Sequence, residues 1–119
     1  RQIITVVGCG GDRDKDKRPR MARIAGTFSD QVIITSDNPR SEDPQRIIAD
    51  MLDGVPPYAM KKVLVIADRE QAIKAGTRLA QDGGIVLVVG KGHEKYQEIR
   101  GERLPFDDKE VLRKSFSEL

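Results

Sequence analysis

The sequence predicts an α/β fold, a Rossmann-like, doubly wound and mostly parallel sheet that closes with a C-terminal β-hairpin. Three observations carry this reading. Four short runs rich in β-branched residues, at 3–7, 32–35, 63–67 and 85–89, are continuously apolar rather than alternating. That is the pattern of strands covered on both faces of a parallel sheet. Segments of helical periodicity separate the runs, and strand–helix alternation implies right-handed crossovers. Glycines and charged residues collect just after the strands, where a parallel sheet gathers its loops along one edge.

The elements follow in order. The first strand, residues 3–7, enters a glycine- and charge-rich loop. In the helix after it, Met21, Ile24, Ala25 and Phe28 fall at i, i+3, i+4 and i+7 and predict the buried face. Beyond the second strand, 32–35, Asp43 reads as an N-cap and Pro44 as the first helical position. Ile47, Ile48, Met51 and Leu52 then form the stripe, and Gly54 stops the helix. Residues 55–58, with two prolines, make a rigid connector to the third strand, 63–67. Asp68 is expected to cap a helix that turns Ala72, Ile73, Ala75 and Leu79 inward and ends before Gly83 and Gly84. After the fourth strand, 85–89, the rhythm changes. Residues 96–99 and 103–106 flank a turn at Gly101 and read as the hairpin. Asp107 and Asp108 then open a last helix through Val111, Leu112 and Phe116.

The 119 residues are expected to form one domain, able to bury roughly two-thirds of its unfolded surface. Lys and Arg number 21 against 19 Asp and Glu, a net charge of +2. That is too even for a chain built to grip nucleic acid. No apolar stretch approaches the ~20 residues needed to span a bilayer, and no signal-peptide pattern opens the sequence. Cys9 is the only cysteine and His93 the only histidine, which excludes an internal disulfide and argues against a structural zinc site. No metal site is therefore expected. The expectation is a cytoplasmic chain, monomeric, without membrane or nucleic-acid partners. Arg1 in place of an initiating Met suggests a processed chain or an excised piece.

Chemistry is expected at the carboxyl ends of the strands. The first loop, residues 8–19, carries Gly8 and Gly10, but Arg13 stands where a dinucleotide fingerprint needs its third glycine, and no Gly-Lys-Ser/Thr follows. Its three glycines could still bring backbone amides to an anion. Taken alone, a solvated, self-paired loop is the simpler reading. In the second loop, Pro39 fixes a turn, Asn38 offers a donor and an acceptor, and Arg40 presents a planar fork suited to a carboxylate. A turn with an exposed arginine would look the same. The loop after the fourth strand offers Gly90, Gly92 and Glu94, a carboxylate able to receive an ammonium group. His93 is better read as tying down that loop than as catalytic. Cys9, at the end of a buried strand, is read as a small core residue. Together these loops suit a small zwitterion, and the residues alone go no further than an α/β binding domain for a polar molecule.

Three motifs add more. Residues 8–15 with Lys17, Arg18 and Pro19; Asp37, Asn38, Pro39 and Arg40; and residues 90–94 with Tyr96 and Gln97 resemble, in order and spacing, the C-terminal domain of the Mur ligases, in the type that adds meso-diaminopimelate. The resemblance covers essentially the whole chain. Asp16 departs from it, at a point where glycine is common. The resemblance implies an ATP-dependent, amide-forming ligase of peptidoglycan synthesis. ATP phosphorylates a carboxylate of UDP-MurNAc-L-Ala-D-Glu, and the incoming amine attacks the acyl phosphate. By the same resemblance Arg13, Asp37, Asn38, Pro39, Arg40, Gly90 and Glu94 would bind meso-diaminopimelate, with Arg40 pairing the distal carboxylate that lysine lacks. Asp12 and Lys15 would lie near the nucleotide. ATP and magnesium would be held mainly by a central domain that this chain lacks, as it lacks the UDP-sugar domain. No catalytic residue is expected here, and the fragment alone is expected to be inactive. Two other readings stand beside this one: a related ligase of the folylpolyglutamate or cyanophycin synthetase type, and a non-catalytic Rossmann-like binding module.

Overall fold

In the computed structural model, which describes residues 2–80, 83–90 and 96–119, four parallel strands form one sheet. They are β1 (Ile3–Cys9), β2 (Gln31–Ser36), β3 (Val63–Val65) and β4 (Ile85–Val89), in the order β3-β2-β1-β4. Helix α1 (Lys17–Phe28) leads from β1 to β2, and α2 (Pro44–Leu52) with a 3-10 turn, Pro57–Lys62, leads from β2 to β3. Helix α3 (Arg69–Leu79) crosses from β3 to β4. An antiparallel hairpin, β5 (Tyr96–Ile99) and β6 (Glu102–Pro105), turns through Arg100 and Gly101, and α4 (Asp108–Ser117) follows. The α/β architecture, parallel sheet and hairpin are those expected from the sequence.

The period of two along β1 and β2 divides the core between the two faces of the sheet. Val7, Cys9, Val32 and Ile34 pack on one face against Ala22 and Ala25 of α1 and Ile47, Ile48 and Met51 of α2. Val6 and Ile33 pack on the other against Ala72 and Ile73 of α3, with Val111 and Leu112 of α4 beside them. Helix α2 follows its sequence closely: the Asp43 carboxylate accepts from the Gln45 N–H at 3.0 Å and Pro44 opens the helix. Gly54 does more than stop it, since a Cβ there would stand 1.9 Å from the Pro19 carbonyl oxygen. The glycine admits the start of α1.

Three expectations are corrected. Of the residues expected inward in α1, Ala25 is buried, but Ile24 and Phe28 are 59% and 73% exposed, and the helix buries Arg18, Ala22 and Gly26 in their place. Small side chains let α1 settle close to the sheet and to Ala59 of the 3-10 turn, and the guanidinium of Arg18 is turned inward to meet its partners. In α3, Leu79 is 40% exposed, while Arg69 and Thr77 are buried with Ala72, Ile73 and Gly76. The third strand stops at Val65, and β3 and β4 are edges whose apolar residues are partly open, so the continuous runs are buried on both faces only in β1 and β2.

Candidate functional site

The carboxyl ends of β1, β2 and β4 open onto a cleft of about 390 Å³. Arg13, Asp37, Arg40 and Gly90 line it, as the sequence anticipated, together with Asp14 and Lys17. Three cations and two carboxylates thus face one small volume, where Cys9 and Met21 add an apolar patch. The Cys9 thiol lies 3.6 Å from the Met21 sulfur, and burial pushes its pKa up to about 11, which makes it wall rather than nucleophile.

Arg40 is held in place before any ligand arrives. Its backbone sits at φ 55°, a left-handed conformation uncommon for arginine. One guanidinium nitrogen donates to the Gly11 carbonyl at 2.9 Å and the Asn38 carbonyl at 3.3 Å, and Nε stands 3.7 Å from a Glu98 carboxylate oxygen. These contacts use Nη1 and Nε, and among the described residues Nη2 meets no hydrogen-bond acceptor, which leaves that nitrogen for a carboxylate.

The hairpin fixes the Asp37–Arg40 loop. The Arg40 N–H donates to the Glu98 carbonyl at 2.9 Å, and the Arg100 N–H donates to the Arg40 carbonyl at 2.7 Å. The Asn38 side-chain oxygen accepts the Glu98 N–H at 2.8 Å, and the Gln97 amide donates to the Asp37 carbonyl at 2.7 Å. Asn38 is fully buried and does not line the cleft, and Pro39 lines a separate hollow on the far side of the loop. In this structure both residues shape the loop.

The glycine-rich loop is tied to its neighbour in the same way. The Gly11 N–H donates to the Asn38 carbonyl at 2.7 Å. The Asp12 carboxylate accepts from the Ser41 hydroxyl at 2.8 Å, which with the Ser41 N–H holds its pKa below the ordinary value. Lys15 stands 3.7 Å from Glu42. Neither Asp12 nor Lys15 lines the cleft. Beneath them Arg18, 1% exposed, donates to Asp50 at 2.8 Å, to the Gly10 carbonyl at 3.2 Å and to Glu42. The hydrogen bond from Arg18 is the main reason that the Glu42 carboxyl is held below its usual range.

On the other side of β1 a second arginine does comparable work. Arg69 meets Asp108 bidentately at 2.8 and 2.7 Å and donates to the Ser36 carbonyl at 2.9 Å. Gly90, at φ 113°, follows β4, and a Cβ there would stand 2.2 Å from the Gly8 carbonyl oxygen. The glycine therefore serves a close approach to β1. Glu94 and His93, with Lys91 and Gly92, lie outside the described residues. Among the described residues no group of three or more His, Cys, Asp or Glu could hold a metal, and no helix is long and apolar enough to cross a membrane.

Sequence reasoning gave no individual role to Lys17 and Asp14 in the cleft, to Arg18, Glu42, Gln97 and Glu98 as supports of its loops, or to Arg69 and Asp108 at the ends of β2 and β4. One signal was present: Arg18 lies in phase with Ala22, Ala25 and Gly26, which marks it as part of the inward face.

Comparison with known proteins gives the site a context. Residues 1–92 match the family model described as Mur ligase, glutamate ligase domain. The chain is 60% identical over 116 residues to UDP-N-acetylmuramoyl-L-alanyl-D-glutamate–2,6-diaminopimelate ligase of Bacteroides thetaiotaomicron, covering 98% of this chain and 24% of that protein. It is 48% identical over 112 residues to the protein of the same name from Aquifex aeolicus, covering 94% and 23%. A solved structure of a ligase of that name superposes with a TM-score of 0.90 at 48% identity, over 98% of this chain and 24% of that one. The chain thus spans about a quarter of the length of the relatives it matches.

Proposed function

From a chain that belongs to the Mur ligase family, in its glutamate ligase domain, we propose the amino-acid-binding domain of a MurE-type, ATP-dependent ligase that adds meso-diaminopimelate to UDP-MurNAc-L-Ala-D-Glu in peptidoglycan synthesis. The observation that carries this reading is the preset Arg40 on a cleft that also holds Arg13, Lys17, Asp14 and Asp37. A diamino dicarboxylate has two carboxylates and two ammonium groups, and this lining offers partners of both signs. Arg40 takes the distal carboxylate with the nitrogen that the loop leaves open, and Arg13 takes the other. Asp37 and Asp14 face the ammonium groups, and the resemblance adds Glu94 to that set. Asn38 and Pro39 act by holding Arg40, and Gly90 by holding the floor.

The domain's part in the reaction is positioning and electrostatics: it orients the amine toward a carboxyl activated elsewhere in the enzyme. ATP and magnesium belong, on this reading, to a domain outside this chain. The loop after β1 lacks a Walker pattern, and the described residues offer no metal cluster. Asp12 and Lys15 sit on the rim of the glycine-rich loop, where a nucleotide held by a facing domain would reach them.

An amide NMR titration tests the reading. With meso-diaminopimelate at millimolar concentration, Arg13, Lys17 and Arg40 shift; with L-lysine the Arg40 shift is absent. Arg40→Lys weakens meso-diaminopimelate binding tenfold or more, on the order of 1–3 kcal/mol for a carboxylate left without its fork. Equal shifts with both ligands would remove the selective role given to Arg40. Steady ADP release by this chain alone would overturn the assignment of catalysis to the rest of the enzyme.

A further inference from the structure

Among the described residues that line the cleft, glycines and charged side chains make up all but two, Cys9 and Met21. Both are anchored in the core. Met21 packs against the cluster that holds Cys9, Ala22 and Ala25, and the Cys9 thiol meets its sulfur at 3.6 Å. Cys9 ends β1, and Met21 follows Lys17 by one helical turn, so Lys17 and Met21 share a face of α1. Next to Cys9, Gly10 stands between the two arginines: a Cβ on it would lie 2.9 Å from Arg40 Nη1 and 3.7 Å from Arg13 Cγ. The floor between the arginines is therefore backbone, with the pair of sulfur atoms adjoining it. Met21 also lines the apolar hollow on the other side of α1, with Ile24 and Phe28, and so stands as the wall between the two.

We propose that Met21, backed by Cys9, is a specificity-determining residue: its side chain covers the methylene spacer of the bound diamino dicarboxylate and sets the spacer length that the cleft accepts. The inference rests on the reading of the cleft as a meso-diaminopimelate site. Such a ligand carries its charges at two ends joined by three methylenes. With an arginine at each end, the spacer lies over what stands between them, and covering it removes apolar area from water. No other side chain in the described lining is apolar enough to do so. The Cys9 thiol adds no charge beneath the spacer, since burial keeps it protonated with a pKa of about 11. Methionine is an adaptable side chain in general, but this one is packed against Cys9 and the core and cannot withdraw without opening the wall. The far end is equally fixed, because the Gly11 and Asn38 carbonyls hold Arg40. A spacer longer by one methylene then presses on Met21, and a shorter one draws a carboxylate away from its arginine.

The ε-methyl group of Met21 gives the direct test. In the 119-residue chain saturated with meso-diaminopimelate, nuclear Overhauser contacts join that methyl to the ligand's central methylene. Titrations with 2,5-diaminoadipate and 2,7-diaminosuberate, one methylene shorter and one longer, give affinities about tenfold or more weaker. Met21→Ala weakens meso-diaminopimelate about tenfold and brings the longer homologue within about threefold of it. Met21→Leu, which conserves volume, keeps the wild-type order of the three ligands. Backbone shifts at Arg13 and Arg40 report separately on the ligase reading. Those shifts without the methyl contacts, or an unchanged length preference in Met21→Ala, would overturn the role of Met21 and leave that reading standing. Neither shifts nor contacts would overturn both. If Met21→Ala does not melt cooperatively, the methyl contacts in the wild type decide.

Discussion

Arg18 and Arg69 are both almost completely buried, both lie at the start of a helix and both bond a backbone carbonyl at the carboxyl edge of the sheet. They differ in their counter-ions. Asp108, the partner of Arg69, is 4% exposed and belongs to α4, so the pair seals the last helix to the ends of β2 and β4. Arg18 faces Glu42 and Asp50, whose side chains are 20% and 34% exposed, and it supports the glycine-rich loop at the cleft. A dry pair fixes the architecture, whereas a half-wet cluster fixes a binding loop and stays open to pH. Side-chain burial decides which role a charged residue serves.

The sharpest way to break the contrast is at Asp108. Asp108→Asn leaves the guanidinium of Arg69 buried with one carboxylate charge removed, and a broken buried pair costs about 3–5 kcal/mol. Thermal unfolding is expected to fall by roughly 10–20 °C for a domain of this size. Replacing both partners, as Arg69→Met with Asp108→Leu, restores most of that loss, because no charge is then stranded. A double variant as unstable as the single one would show that the pair contributes more than mutual neutralisation.

Glu42 gives the smaller, pH-dependent counterpart. Glu42→Gln leaves Arg18 with Asp50 and the Gly10 carbonyl, and costs about 1–2 kcal/mol for one lost charge-assisted bond. The folded carboxyl titrates below its ordinary 4.5, mainly through the hydrogen bond from Arg18. Its contribution is therefore fully present above 4.5 and is lost as pH falls through the lower folded value. Denaturant melts of the wild type and Glu42→Gln should differ at pH 7 and converge on acidification. A constant difference down to the acid limit would mean that Glu42 acts by packing alone.

Much of the fold was legible because its signals are local. The β-branched runs named all four strands, Asp43 and Pro44 announced α2, and Gly101 announced the hairpin turn. The cleft was legible through Arg13, Asp37, Arg40 and Gly90, since loops after parallel strands must converge. What stayed hidden depends on distant partners. Asn38 reads as a ligand-binding amide until Glu98, sixty residues on, is seen to donate to it. Arg69 carries no local sign of its role, which appears only when α4 returns with Asp108. Apart from Ala25, the inward face of α1 was misjudged for a related reason: hydrophobicity alone favoured Ile24 and Phe28, whereas close approach favoured Ala22 and Gly26.

That last difference sets the smallest expected effect. Phe28 is 73% exposed, so Phe28→Ser removes little buried area from this chain and should change its unfolding free energy by no more than about 0.5 kcal/mol. A phenylalanine truly in the core would cost about 3–5 kcal/mol when truncated, so the two phases of α1 are well separated by one denaturant melt.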